Sequence, residues 1–182
     1  MASNQLQRVT FRPIARNDLG LIHQWILRPR VTEWWHSPSS IADFEEHYLP
    51  SINGTSTTKA FVAQRDQEPI GFIQSYVVMG SGGGWWENEQ DPGARGVDQF
   101  LADPDQLNQG LGTAMVREFL AKIFREPEVT IVQADPDTNN HRAIRCYTKA
   151  GFAAVGQVVT PDGTALLMRC SRAGFAHQRT GA

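Results

Sequence analysis

Two stretches of this chain combine residue types and spacings that could do chemistry. The first is Asp98–Leu120, DQFLADPDQLNQGLGTAMVREFL. Val97–Ala102 is an apolar, strand-like run and Asp103–Gln109 is a polar turn. Gly110–Phe124 then carries Leu111, Met115, Phe119 and Ile123 at intervals of four, with no proline. The chain thus passes from a strand through a loop into a helix that opens on Gly110-Leu111-Gly112. Glycines there let another group approach the backbone N–H groups of Gln109 to Thr113. With the helix dipole those groups make an anion site, best suited to phosphate. The competing reading is a turn with close packing. No Gly-Lys-Ser/Thr and no third glycine follow, so this is neither a P-loop nor the dinucleotide fingerprint.

The second stretch is Asn140–Phe152, NHRAIRCYTKAGF. Asn140 can cap a helix and Gly151 can end it, with Ala143, Ile144, Tyr147 and Ala150 on one face. Asn140 and Tyr147 are two turns apart and can face one groove. A third segment, Gly80–Gly93, is unusual in composition: it holds Trp85, Trp86, Glu87, Glu89 and Asp91 among glycines. It reads as a mobile, exposed loop. Its tryptophans either pack back on the core, form a platform for a cationic ring-bearing ligand, or make a dimer contact.

Taken together, the first two stretches resemble the signature motifs of the GNAT superfamily of acyl-CoA-dependent N-acetyltransferases. Leu107 stands where that superfamily usually has Gln or Arg, a departure that leaves the backbone N–H argument untouched. Glu33-Trp34-Trp35, EPIGFIQSYVVMGSGGGWWENE, DPGARGVDQFLADPDQLNQGLGT, NNHRAIRCYTKAGF and TPDG together resemble the aminoglycoside 6′-N-acetyltransferases, from about Val9 to Phe175. The resemblance implies acetyl-CoA as co-substrate, its pyrophosphate on Gln109, Gly110, Leu111, Gly112 and Thr113 and its pantetheine on Asn140. A backbone N–H of the Asp98–Ala102 strand (Phe100 or Leu101, with Ala102 beside them) would polarise the thioester, a type of donor worth ~3–4 kcal/mol.

It further implies Asp98 as the group that orients the amine and takes its proton late, and Tyr147 as the acid toward sulfur. A carboxylate of ordinary pKa, about 4, is a weak base for an ammonium. The residue-level alternatives are a strand carboxylate paired with Arg95 and a core tyrosine. Cys146 beside Tyr147 is rejected as a nucleophile, since no His is placed in sequence to activate it. Trp85, Trp86, Glu87, Asp98, Asp135 and Asp162 are the expected substrate contacts. With Glu89, Asp91 and Asp137 the fold would gather these acids at one mouth, which would steer a polycation; solvated loop acids are the alternative for each. The rival activities are acetylation of a polyamine or peptide amine, and non-catalytic binding of drug or acyl-CoA.

Composition agrees with a soluble enzyme. The chain has 182 residues, 41% hydrophobic and 20% charged, with formal net charge −2. That length suits a single domain, with a core over 8–175 and a polar tail at 176–182 expected to fray. Nothing in the charge favours nucleic acid or an anionic membrane. No apolar run approaches a membrane span, and MASNQLQR is not a signal peptide, so a cytosolic protein is expected. Two cysteines, Cys146 and Cys170, and scattered histidines give no disulfide framework and no metal site. A monomer or weak homodimer is expected.

The elements that must position these residues follow from periodicity. Val9–Ile14 is a strand. Asn17 or Asp18 caps a helix through Leu19, Ile22, Trp25 and Ile26, stopped by Pro29. Ser40 starts a second helix, ended by Pro50. Ala60–Gln64 and Ile70–Met79 form a hairpin around Asp66-Gln67-Glu68, Thr130–Ala134 is a short strand, and Phe152–Val159 pairs with Ala165–Cys170. The expected fold is α/β, a mixed central sheet of about seven strands flanked by about four helices. The strands at Val97 and Thr130 should run parallel, and the resemblance implies that they splay apart.

Overall fold

A computed structural model describes residues 8–36 and 40–180, with side chains up to His177. Its order is β1 (Val9–Pro13), α1 (Leu19–Ile26), α2 (Pro29–Thr32), α3 (Ile41–Ile52), β2 (Lys59–Arg65), β3 (Glu68–Val77), β4 (Ala94–Leu101), α4 (Leu111–Ile123), β5 (Ile131–Ala134), α5 (His141–Ala150), β6 (Ala153–Thr160), β7 (Gly163–Ser171) and α6 (Arg172–Thr180). The seven strands are hydrogen-bonded in the order β1-β2-β3-β4-β5-β7-β6. β4 and β5 are parallel, while β1–β2, β5–β7 and β6–β7 are antiparallel. The β4–β5 register runs from Ala94–Ile131 to Gly96–Gln133 and stops there, while β4 continues to Leu101. That end of pairing is the splay implied by the resemblance.

The chain forms two compact units, described separately: the described residues up to Ile73 with Gln99–Glu118, and Gln74–Asp98 with the described residues from Phe119 on. The first has a core of Leu19, Ile22, Ile26, Phe44, Tyr48 and Phe72, all nearly sealed from solvent. Trp35, beyond α2, stands edge-on to Phe72 and Phe100 at 5.7 and 5.1 Å between ring centres. α3 is capped as its sequence demands, with the Ser40 hydroxyl accepting the Asp43 N–H at 3.1 Å. The β2–β3 turn puts Asp66 and Gln67 at φ 53° and 69°, the paired left-handed residues of a tight hairpin. In the second unit Phe119, Leu120, Ile123, Val132 and Met168 are buried.

Four local expectations are corrected. Pro29 does not merely follow a helix; it opens α2, where its missing N–H would have had no helical acceptor. Pro50 sits inside α3 two residues before its end at Ile52; the carbonyl it leaves unpaired, that of exposed Glu46, can take water. Asp18 makes no side-chain cap on α1 and instead accepts Arg12 and the Ala15 N–H. The stretch expected to be a fraying tail is helical to Thr180. Arg172 holds that helix by donating to the carbonyls of Phe124, Glu126 and Val129, and Phe175 packs on Phe124 at 5.4 Å.

Candidate active site

The catalytic candidates lie where β4 outruns β5. Asp98 is two residues past Gly96 on β4 and Asp135 is two residues past Gln133, its register partner. Residues two apart on a strand share a face, so the two carboxylates sit on equivalent positions of neighbouring parallel strands just beyond the last pairing. Like charges so placed oppose one another. Among the described residues Asp98 has one side-chain donor, Nε2 of Gln74 at 2.9 Å. Loss of solvent around its carboxyl outweighs that bond and pushes its pKa up to about 6. Asp135 is raised further, to about 8, first by desolvation and then by the charges of Asp98 and Asp162.

Tyr147 comes from α5, whose ends are built as the sequence suggests. Asn140 Oδ1 accepts the Ala143 N–H at 3.1 Å, and Gly151 ends the helix at φ 112°. Tyr147 is 5% exposed and its hydroxyl donates to the Val97 carbonyl at a long 3.5 Å. Phe152 stands edge-on to it at 5.1 Å. Desolvation, with the charges of Asp98, Cys146 and Asp135 behind it, lifts its pKa well above the usual phenol value. It therefore keeps its proton at neutral pH.

Two residues of this site lie on β3, inside the EPIGFIQSYVV stretch, and had no role assigned from sequence. Gln74 faces Asp98, and Tyr76 lies against Gly96, where any Cβ would clash with the phenol, 2.4 Å from its Cζ. These two contacts step in opposite directions along β3 and β4, as antiparallel pairing requires. Gly96 is thus a glycine of close approach. Tyr76 is raised well above the phenol range by desolvation, with Asp98, Asp135 and Tyr147 adding to it. The Trp86 indole N–H makes no hydrogen bond of good geometry, yet acts on Tyr76 in the opposite sense, toward the phenolate. The sequence signal was available: Gln74 and Tyr76 are polar-tipped residues at alternate positions of the strand GFIQSYVV, flanking Ser75 in an otherwise apolar run.

The acid set expected at one mouth divides. Asp98, Asp135 and Asp162 act on one another, the last from the β6–β7 turn. Glu89 instead accepts Arg169 at 2.8 Å, Asp91 accepts the Gly93 N–H and the Thr130 hydroxyl, and Asp137 accepts the Asn139 N–H at 2.7 Å. Glu87 is exposed. Trp85 and Trp86 are half-buried, while Gly80–Gly84, Glu87 and Asn88 around them are exposed as expected, and the loop is tied at its base through Glu89.

The cofactor candidates lie in the first unit, apart from Asn140. Gly110 adopts φ 83° and Asn108 φ 62°, two left-handed residues that turn the chain into α4. Leu111 is buried, Gly112 and Thr113 are half-buried, and Gln109 is exposed, its side chain donating to the Asp105 carbonyl at 2.7 Å. Phe100 and Leu101 are buried, Phe100 stacking on Phe72 at 5.5 Å. Ala102 uses both backbone groups within the chain: its N–H donates to the Ile70 carbonyl and its carbonyl accepts Arg28. Among the described residues no group of His, Cys, Asp and Glu is arranged to hold a metal, and no helix is long and apolar enough to cross a membrane.

This geometry has close parallels. Residues 15–160 match the model of the acetyltransferase (GNAT) domain. An aminoglycoside N(6′)-acetyltransferase type 1 of Klebsiella pneumoniae is 45% identical, over 99% of this chain and 91% of its own. The structure of AAC(6′)-Ib with paromomycin and acetyl-CoA superimposes with a TM-score of 0.91 at 46% identity, covering 96% of this chain and 99% of the other. AAC(6′)-Ib with coenzyme A and kanamycin gives 0.89 at 48% identity, covering 94% and 99%. A glycine-opened helix, the end of β4–β5 pairing, the Asp98–Asp135 pair and the buried Tyr147 are thus set in a chain that belongs to the GNAT acetyltransferases.

Proposed function

We propose that this protein transfers the acetyl group of acetyl-CoA to the 6′-amine of aminoglycoside antibiotics by direct attack on the thioester, and so confers resistance. The observation that carries the reading is the desolvated Asp98–Asp135 pair, with Tyr147 influenced by both. Two carboxylates with no cationic partner among the described residues suit a ligand that brings several ammonium groups.

The bound substrate's 6′-ammonium is oriented by Asp98, and its neighbours compensate Asp135. The ammonium first releases one proton to solvent, and Asp98 accepts the amine's second proton late, as the C–N bond forms. A carboxyl raised to about 6 is a better base for this than one near the ordinary value of about 4. The amine nitrogen forms the new C–N bond, the C–S bond breaks, and the Tyr147 proton goes to the departing sulfur. A backbone N–H at Phe100 or Leu101 donates to the carbonyl oxygen, while Gln109–Thr113 hold the pyrophosphate and Asn140 the pantetheine. Trp85 and Trp86 form the platform for the sugar rings, with Glu87 and Asp162 at its rim. The protein acts as a single catalytic domain over 8–175, in the cytoplasm, as a monomer or weak homodimer.

The test is free-thiol release from acetyl-CoA with kanamycin, tobramycin, spermidine and a peptide as separate acceptors. Turnover is expected with the first two only, and an analogue lacking the 6′-amine should be inert. Turnover with spermidine or peptide alone would move the protein to another amine. Tight drug binding with no thiol release would make it a non-catalytic binder.

A further inference from the structure

Arg169, on β7, appears in neither the motifs nor the proposed chemistry, yet it is bonded on two sides. Its Nε donates to Oε1 of Gln133 on β5 at 2.9 Å, and its Nη2 donates to Oε2 of Glu89 at 2.8 Å. Gln133 is fully buried, so one arm of the guanidinium is anchored in the sheet. The other arm reaches into the tryptophan loop. Glu89 is the more enclosed partner, its side chain 9% exposed against 36% for Arg169.

Glu89 in turn organises the loop. Its second oxygen, Oε1, accepts the N–H groups of Gln90 and Asp91 at 3.0 and 2.9 Å, and its own N–H donates to the Trp86 carbonyl at 2.9 Å. That last bond closes a turn in which Trp86 has φ 55°. A left-handed conformation is costly for a bulky residue and persists only where the surroundings fix it. The loop's other side rests on the β6–β7 turn, where a Cβ on Gly84 would meet Pro161 at 3.2 Å. The strained turn at Trp86 is therefore held between Pro161 and the Glu89 carboxylate, and Arg169 fixes that carboxylate to the sheet.

We infer that the Glu89–Arg169 pair is a positioning device for the Trp85–Trp86 platform, setting how tightly the aminoglycoside is held and leaving the acetyl-transfer step alone. The inference rests on the proposed activity for its kinetic consequence only. Arg suits the role because two of its nitrogens serve two acceptors at once, which a lysine ammonium at the end of a flexible stem does not reproduce.

The test uses Glu89→Gln, Arg169→Lys, Arg169→Gln and the double variant Glu89→Gln/Arg169→Gln. Glu89→Gln keeps the acceptor for Gln90 and Asp91 but removes the charge. Kanamycin KM is expected to rise about tenfold, with kcat and the acetyl-CoA KM within about twofold of wild type. Arg169→Lys should raise the kanamycin KM as well. The double variant should be no worse than the poorer single, as two halves of one contact require. A second measurement needs no acceptor: chymotrypsin cleavage at Trp85–Trp86 should be faster in Glu89→Gln and Arg169→Gln. An unchanged kanamycin KM in an active enzyme would overturn the inference. So would a fall in kcat for every acceptor that tracks a lowered melting temperature, because Arg169 would then only support the fold. If no aminoglycoside is turned over, cleavage decides alone: faster cutting supports the clamp, and an unchanged rate overturns it.

Discussion

Glu89 and Asp91 lie at the base of the tryptophan loop, and Asp98 and Asp135 lie where β4 and β5 part. The loop acids are matched within the chain: Arg169 and two N–H groups for Glu89, the Thr130 hydroxyl and the Gly93 N–H for Asp91. Thr130 and Gly93 hold Asp91 below the usual carboxylate range. The strand acids are desolvated, and among the described residues Gln74 alone donates a side-chain hydrogen bond to Asp98, so both are pushed up, to about 6 and about 8. Both places hold carboxylates. What separates a carboxylate that serves the fold from one poised for a ligand is whether the chain supplies its donors or merely removes its water.

The comparison breaks first at Asp98. Asp98→Asn should lower kcat/KM by about two to four orders of magnitude, the range of a positioned acid–base group, with thermal stability equal to wild type or higher. Full turnover in that variant would place Asp98 with the structural acids. Asp135→Asn should have the next largest effect, raising the kanamycin KM about tenfold. It also carries a pH signature. An Asp135 raised in the folded state binds a proton that the unfolded chain, with a pKa of ~3.9, has released over the window up to about 8. Folding stability attributable to it therefore falls as pH rises through that window. The variant removes this loss, so its melting temperature should exceed wild type at pH 8 by several degrees and converge with it near pH 4. Differential scanning calorimetry without drug measures both points.

Much of this site was legible because it rests on local rules. The four-residue spacing of Leu111, Met115, Phe119 and Ile123, the Asn140 cap and the Gly151 stop each depend on the nearest turns of one helix, and each appears where the sequence put it. Parallel β4 and β5 followed from a helix between two strands. What remained hidden depends on register and long-range contact. That Gln74 would meet Asp98 and that Tyr76 would require a glycine at 96 are facts about which residues pair across strands. Arg172 reaching three carbonyls near the end of α4 turned an apparent tail into a helix. Arg169 meeting Glu89 across 80 residues ties the base of the exposed glycine-bearing loop to β7. Glycine content reports the conformations a loop can adopt; it carries no information about the side chains elsewhere that hold one of them.

The smallest effect sharpens the comparison from the other unit. Asp18 is a carboxylate satisfied by the chain: Arg12 grips both its oxygens at 2.6 and 2.7 Å, and the Ala15 N–H donates at 2.8 Å. These bonds, the Arg12 contacts foremost, hold Asp18 below the usual carboxylate range against a desolvation that would raise it. Asp18→Asn should cost about 1–2 kcal/mol, a charge-assisted contact reduced by the partial exposure of Arg12, and leave the kinetic constants for kanamycin and acetyl-CoA unchanged. Its pH dependence has the opposite sign to that at Asp135. A lowered folded pKa contributes stability that is complete above the unfolded value of ~3.9 and lost as pH falls through the folded one. The gap between wild type and Asp18→Asn should thus be full at pH 7 and close below pH ~4, whereas the Asp135→Asn gap opens as pH rises. Denaturant melts of both variants at pH 3.5, 6 and 8 read the two trends side by side. Gaps that moved in the same direction would show that chain-supplied donors do not divide these acids, and the separation of structural from ligand-binding carboxylates would have to rest on position alone.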